Sequence, residues 1–169
     1  MAVGPFSPAS TNSSRAITQP ENALVVRRAI TEDRTPLSEL IHRAYQEASG
    51  RRGGWVRMHR FGSSPEALLD QVLDPAGPIA FIAIDETELL GFALVDREPP
   101  RLELIYVRPT HRRRGIGSSL VEEAARDAGT WSDVPFTALV AAGDRAEKSL
   151  FESLGYRAEL LIMGQRPKI

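Results

Sequence analysis

The stretch Tyr106-Val107-Arg108-Pro109-Thr110-His111-Arg112-Arg113-Arg114-Gly115-Ile116-Gly117-Ser118-Ser119-Leu120-Val121-Glu122-Glu123-Ala124-Ala125-Arg126-Asp127-Ala128 decides the fold. A β-rich run from Leu102 to Val107 enters it, and a basic turn with two glycines follows. Ile116, Leu120, Val121, Ala124, Ala125 and Ala128 then recur at the spacing of one buried helix face. A strand, a glycine turn and a helix start in succession make an anion site. The first amides of a helix lack internal partners, and its dipole favours negative charge there. Gly115 and Gly117 allow a ligand close to the backbone, and Arg112, Arg113 and Arg114 add positive charge.

Working outward, the pattern is not a Walker loop, because no Gly-Lys-Ser or Gly-Lys-Thr follows. It is not a dinucleotide fingerprint either, since the third glycine is missing and the strand comes late in the chain. Composition narrows the field further. The chain has 169 residues, 42% hydrophobic and 25% charged, which suits one soluble domain. A net charge of −1 does not indicate binding to nucleic acid through bulk positive charge. There is no cysteine, so disulfides, thiolate nucleophiles and cysteine zinc sites are excluded. His42, His59 and His111 lack metal-ligand spacing. No apolar run approaches the roughly 20 residues of a membrane span, and no secretory leader is evident. The expectation is a cytoplasmic protein with no metal and no membrane partner.

Residues 1–22 are rich in Ser, Pro, Thr and Asn and read as a mobile tail, leaving residues 23–169 as the folded domain. Leu24 to Arg28 has strand character. Thr35-Pro36 reads as a helix start, with Leu37, Leu40, Ile41, Ala44, Tyr45 and Ala48 on its buried face. Ser49 to Ser63 breaks the pattern with glycines, arginines and aromatics, a mixture that suits a ligand-binding loop. Ser64-Pro65-Glu66 starts a second helix through Leu68, Leu69, Val72 and Leu73. Ile79 to Ile84, Leu89 to Val95 and Arg101 to Val107 read as three consecutive antiparallel strands. After the central helix, Phe136 to Val140 is a short strand. Asp144-x-x-Glu147 reads as a capping box, and Ala146, Leu150 and Leu154 as the buried stripe of a fourth helix closed by Gly155. Arg157 to Met163 is expected as a last strand. The fold class is α/β of the mixed α+β kind: a mostly antiparallel mixed sheet of about six strands flanked by four helices.

Arg112-x-x-Gly115-x-Gly117 resembles the Gln/Arg-x-x-Gly-x-Gly/Ala signature of the GNAT superfamily of N-acetyltransferases. Tyr106-Val107-Arg108-Pro109 before it and Leu120 after it are similar too, and the element order resembles that fold from Leu24 onward. The resemblance implies that acetyl-CoA is the cosubstrate and that the turn holds its pyrophosphate. It implies Ile105, Tyr106, Val107, Arg112, Arg113, Arg114, Gly115, Ile116, Gly117, Ser118, Asp144 and Phe151 around the coenzyme. Backbone groups of Ile105 and Val107 would hold the pantetheine arm and the thioester oxygen. Many members have two strands after the last helix. Six residues follow Met163 here, so the terminal strand is expected to be short or shared with a partner, as in a homodimer.

Acetyl transfer to an amine needs a polarised carbonyl, a neutral amine, and alignment of the two. Glu103 is the first candidate for the base. Period-two alternation puts it on the face of Ile105 and Val107 unless a bulge intervenes. Glu39, Tyr45 and Glu47 on the first helix are weaker candidates. The family often places a proton-donating tyrosine where this chain has Phe151, which cannot donate, and Tyr156 is the substitute considered. The segment joining the first two helices commonly borders the acceptor in the family, which makes Trp55, Arg57 and Arg60 acceptor contacts. Their charge points to a small amine carrying an acidic group, since guanidinium grips carboxylate and phosphate. A protein Nα or lysine acceptor is the alternative, and a non-catalytic acyl-CoA-binding regulatory module is the alternative from another class.

Overall fold

The computed structural model describes residues 24–50, 64–86 and 88–160. Five strands form one sheet in the order β1 (Val25–Arg28), β2 (Ile79–Asp85), β3 (Glu88–Arg97), β4 (Pro100–Val107) and β5 (Thr137–Ala138). The first four pair antiparallel, and β5 lies parallel to β4. Among the described residues, four helices flank the sheet: α1 (Arg34–Ser49), α2 (Pro65–Leu73), α3 (Ile116–Ala128) and α4 (Arg145–Ser153).

The central strands β2 and β3 read as near-continuous apolar runs because both of their faces are covered. Ala80, Ile82, Phe92, Leu94, Leu104 and Tyr106 join α1 and α2 on one side. Phe81, Ala83, Ala93, Val95, Leu102, Ile105 and Val107 join α3 and α4 on the other. The sheet thus separates two apolar layers, and α1 with α2 never shares a side with the glycine turn's helix.

Several expectations needed correction. The first helix begins at Arg34 rather than with a Thr35 cap. Asp33, ending a one-turn 3-10 segment, organises that start. Its carboxylate accepts the Ile30 amide at 2.8 Å and both Arg27 guanidinium nitrogens at 2.7 and 2.8 Å. The α4 stripe is displaced by one residue: Ala146 is exposed and Phe151 is buried, with Leu150 and Leu154 beside it. The sheet has five strands among the described residues. Residues 157–160 are not a strand, and 161–163 lie outside the described residues, as do residues 1–22. The caps at Ser64 and Asp144 are as read, their side chains accepting the amides of Ala67 and Glu147 at 3.2 and 3.0 Å. The amide of Asp144 donates to the Ala141 carbonyl at 3.0 Å. At the far end of α3, Asp127 receives Arg28 of β1 at 2.6 and 2.9 Å and the Trp131 indole at 3.0 Å.

Asp33→Ala is expected to lower the unfolding free energy by about 2–3 kcal/mol, since partly buried charged hydrogen bonds are lost together. Urea denaturation measures it. Arg27 holds the Asp33 carboxyl below the usual carboxylate range. That contribution is present above the unfolded-state pKa and is lost as pH falls through the depressed folded one. The gap between wild type and variant should therefore shrink below about pH 4.

Candidate coenzyme and catalytic site

β5 reaches only the start of β4. Arg101 pairs with Thr137 and Leu102 with Ala138, and the Leu139 amide donates to the Leu102 carbonyl at 2.9 Å. At that point β4 carries an extra residue. Leu94 of β3 faces Leu104, but Val95 faces Leu102, so Glu103 is the bulge. Beyond it no described strand lies on that side of β4. The Arg108 amide bonds to the Leu90 carbonyl at 2.8 Å, which fixes the parity of the ladder. Even-numbered residues of this segment bond to β3, so the main-chain groups of Ile105 and Val107 face the open side.

The bulge also decides where Glu103 points. Leu102 packs on the α3 side and Leu104 on the α1 side, so alternation is broken between them. Glu103 contacts the Arg101 guanidinium, and Arg101 reaches Asp96 across the strands at 3.5 Å, on the Leu94 side. The Glu103 side chain is 1% exposed. It therefore lies on the α1–α2 side, not on the face of Ile105 and Val107 that strict alternation assigns. Tyr106 is turned the same way. Its ring packs against Phe92 at 6.0 Å and its main chain faces β3, so it offers nothing to the open edge.

The glycine turn is shaped by backbone conformation. Arg113 and Gly115 have φ of 63° and 82°, and Gly115 caps α3. The Ser119 amide is the first to bond back, to the Gly115 carbonyl at 3.0 Å. The amides of Ile116, Gly117 and Ser118 are thus left without helical partners, as an anion site requires. The Ile116 side chain itself is core. Gly117 has a further role: a Cβ there would stand 3.2 Å from Leu150 Cδ2 and 3.9 Å from Ile105 Cδ1. Its bareness lets α4 approach as well as a ligand.

The three arginines divide. Arg113 and Arg114 are exposed beside the helix start. Arg112 is committed elsewhere: Nε donates to the Val107 carbonyl at 2.8 Å, Nη2 meets Glu47 at 2.6 Å, and its carbon lies 5.6 Å from the Tyr106 ring centre. Glu47, and more weakly Asp144, raise its pKa. Asp144 itself caps α4. Phe151 is buried, and the Tyr156 ring meets its edge at 5.5 Å. Burial pushes the Tyr156 phenol above the ordinary tyrosine range. Burial does the same to Tyr45. Glu39 pairs with Arg43 at 3.0 Å and with Arg108 at 3.4 Å. Trp55, Arg57 and Arg60 lie outside the described residues. Arg101 and Leu150 gave no signal in the sequence as partners of Glu103 and Gly117.

Residues 76–158, which contain the bulge, the open edge, the turn and α4, match the acetyltransferase (GNAT) domain family. Over those residues the chain is similar to a GNAT acetyltransferase domain. Solved structures with the same fold include the aminoglycoside N-acetyltransferase AAC(6')-Iy in complex with CoA, with a TM-score of 0.70 at 17% identity over 89% of this chain and 99% of that one. A ribosomal-protein-alanine N-acetyltransferase from Brucella melitensis biovar Abortus 2308 gives 0.64 at 19% identity over 86% and 100%. The aminoglycoside acetyltransferase meta-AAC0020 from an uncultured soil metagenomic sample, in complex with sisomicin, gives 0.64 at 17% over 86% and 96%. A search of curated proteins found no sequence match. Among the described residues, no helix is long and apolar enough to cross a membrane.

The two glycines of the turn should respond differently to alanine. Gly115→Ala forces a side chain into the left-handed region and is expected to cost about 1–2 kcal/mol. Gly117→Ala needs only a small shift of the flexible Leu150 and should cost less. Thermal denaturation of the two variants separates a conformational demand from a packing one.

Proposed function

We propose that the protein transfers an acetyl group from acetyl-CoA to the primary amine of a small acceptor. The observation that carries this reading is the alignment of two features. The open edge of β4 at Ile105 and Val107 runs directly into a helix start with three unused amides. An extended thioester arm bearing a pyrophosphate has that combination of needs: strand-like partners for its amides and an anion cradle at its far end. The amides of Ile116, Gly117 and Ser118, with Arg113 and Arg114, are assigned to the pyrophosphate. The Ile105 main chain and the Val107 amide are assigned to the arm and the thioester oxygen.

In the reaction the amine nitrogen bonds to the thioester carbon, the carbon–sulfur bond breaks with its electron pair on sulfur, and the amine sheds one proton. Glu103 is the group we assign to receive it. The bulge supports this, because it turns the carboxylate to the sheet face that carries α1 and α2. The connection between those helices is the segment to which we assign acceptor contacts, including Trp55, Arg57 and Arg60. Phe151 has no proton for the leaving sulfur. Tyr156, a protonated phenol beside it, is the candidate donor.

We favour an acceptor carrying a carboxylate or phosphate. Glu39 and Glu47, the α1 carboxylates nearest in sequence to that connection, are each paired with arginine, which leaves them poorly placed to attract a polycation. The aminoglycoside enzymes share the fold at an identity too low to carry over their acceptors. A second reading, acyl-CoA binding without turnover, draws on Phe151 and on the packing of Tyr156 against it.

Acetyl-CoA at about 100 times its dissociation constant should add roughly 2.7 kcal/mol, raising the melting temperature by about 5–10 °C. Gly117→Glu should abolish that rise while leaving the protein folded. Free thiol release should appear with acidic primary amines and not with aminoglycosides. Glu103→Gln should cut that release by about 100-fold or more with the thermal shift intact. A thermal shift without thiol release from any amine would favour the binding module.

A further inference from the structure

Arg112 lies where the resemblance expects a coenzyme contact, yet its guanidinium is spent on the protein. One nitrogen closes the Val107 carbonyl, and the other meets Glu47 at 2.6 Å, 65 residues earlier in the chain. Glu47 sits in the last turn of α1, which ends at Ser49. Both partners are partly buried, at 34% and 26% exposure, so the pair is shielded from salt better than a surface pair. Arg108, at the entrance to the turn, also reaches α1 and meets Glu39 at 3.4 Å, but Glu39 stands eight residues before Glu47 and away from the helix end. The turn and α3 stand against one side of the sheet and α1 against the other. The Arg112 side chain passes from the first side to the end of α1 on the second.

We propose that Arg112 is a positioning residue that transmits coenzyme occupancy to the end of α1. The inference rests on the coenzyme reading above. A pyrophosphate on the amides of Ile116 to Ser118 fixes the turn from which Arg112 projects. A fixed Arg112 holds Glu47, and Glu47 holds the last turn of a helix that would otherwise fray. The connection bordering the acceptor starts there, so coenzyme bound first prepares the acceptor side. By linkage, an ordered α1 end tightens coenzyme binding to the same degree.

Hydrogen exchange of the full chain, with and without coenzyme A, tests this. Helix ends exchange by local fraying, which a distant ligand does not slow unless the two are coupled. In wild type, coenzyme A should slow exchange over Ala44 to Gly50 by about five-fold, the low end of ordinary site coupling. The end of α2 should not change. In Glu47→Gln the protection at α1 should vanish while protection of the turn persists. Glu47→Asp, which keeps the charge, should recover part of it. A wild-type α1 end indifferent to coenzyme A, or a Glu47→Gln variant protected like wild type, would overturn the coupling alone. So would equal loss in the Gln and Asp variants, which would point to helix packing. If coenzyme A fails even to raise the wild-type melting temperature, the coenzyme reading falls and the coupling with it.

Discussion

Among the described residues, β5 and the adjoining Leu139 hold only the start of the outer edge of β4, and the site follows from where that hold ends. A sheet that stayed paired would have no backbone groups to offer. Here pairing stops at Leu102, and the next residue, Glu103, is an insertion in the ladder. A bulge bends its strand and disrupts the register, so the strand no longer tracks its neighbour. Three consequences come from the single extra residue. The main chain at Ile105 and Val107 is released, the carboxylate of Glu103 crosses to the other face, and β4 is aimed at the turn that starts α3.

The turn is held from outside itself. Gly115 supplies a left-handed conformation that other residues resist, and Arg113 adopts a similar one at some cost. Such a backbone persists only when its surroundings over-determine it. Arg112 supplies one constraint through Val107 and Glu47, and Leu150 against Gly117 supplies another. At the opposite end of α3, Asp127 ties the helix to β1 through Arg28. The helix that presents the amides is anchored at both termini, so those amides are preorganised rather than recruited.

Much of this could be read from the sequence where the signal is local. The buried face of α3 follows from apolar spacing, and Ile116, Leu120, Val121, Ala124 and Ala128 are all buried. The Ser64 and Asp144 caps announce themselves because a capping oxygen and its amide are three residues apart. Signals that depend on register were not legible. Period two cannot reveal a bulge, so alternation assigns Glu103 to the face of Ile105 and Val107, and the bulge that moves it across is visible only in the folded ladder. In α4, leucine at 150 and phenylalanine at 151 compete for one stripe, and the larger side chain won the core. Asp33 displaced Thr35 as the organiser of α1 because its partners include an arginine from the preceding strand. The Arg112–Glu47 contact has no local trace at all, since it joins residues that only the folded sheet brings together.

The open edge has a cost for the protein without its ligand. Leu104-Ile105-Tyr106-Val107 is a short β-prone run, and its outward backbone groups have no strand partner among the described residues. Unpaired edges are templates for other chains, and proteins usually blunt them with charge, proline or cover. A ligand that hydrogen-bonds to Ile105 and Val107 occupies the same groups that an intruding strand would use. The chemistry of the site and the solubility of the empty protein therefore compete for one row of amides and carbonyls, and occupancy protects the fold from its own most reactive edge.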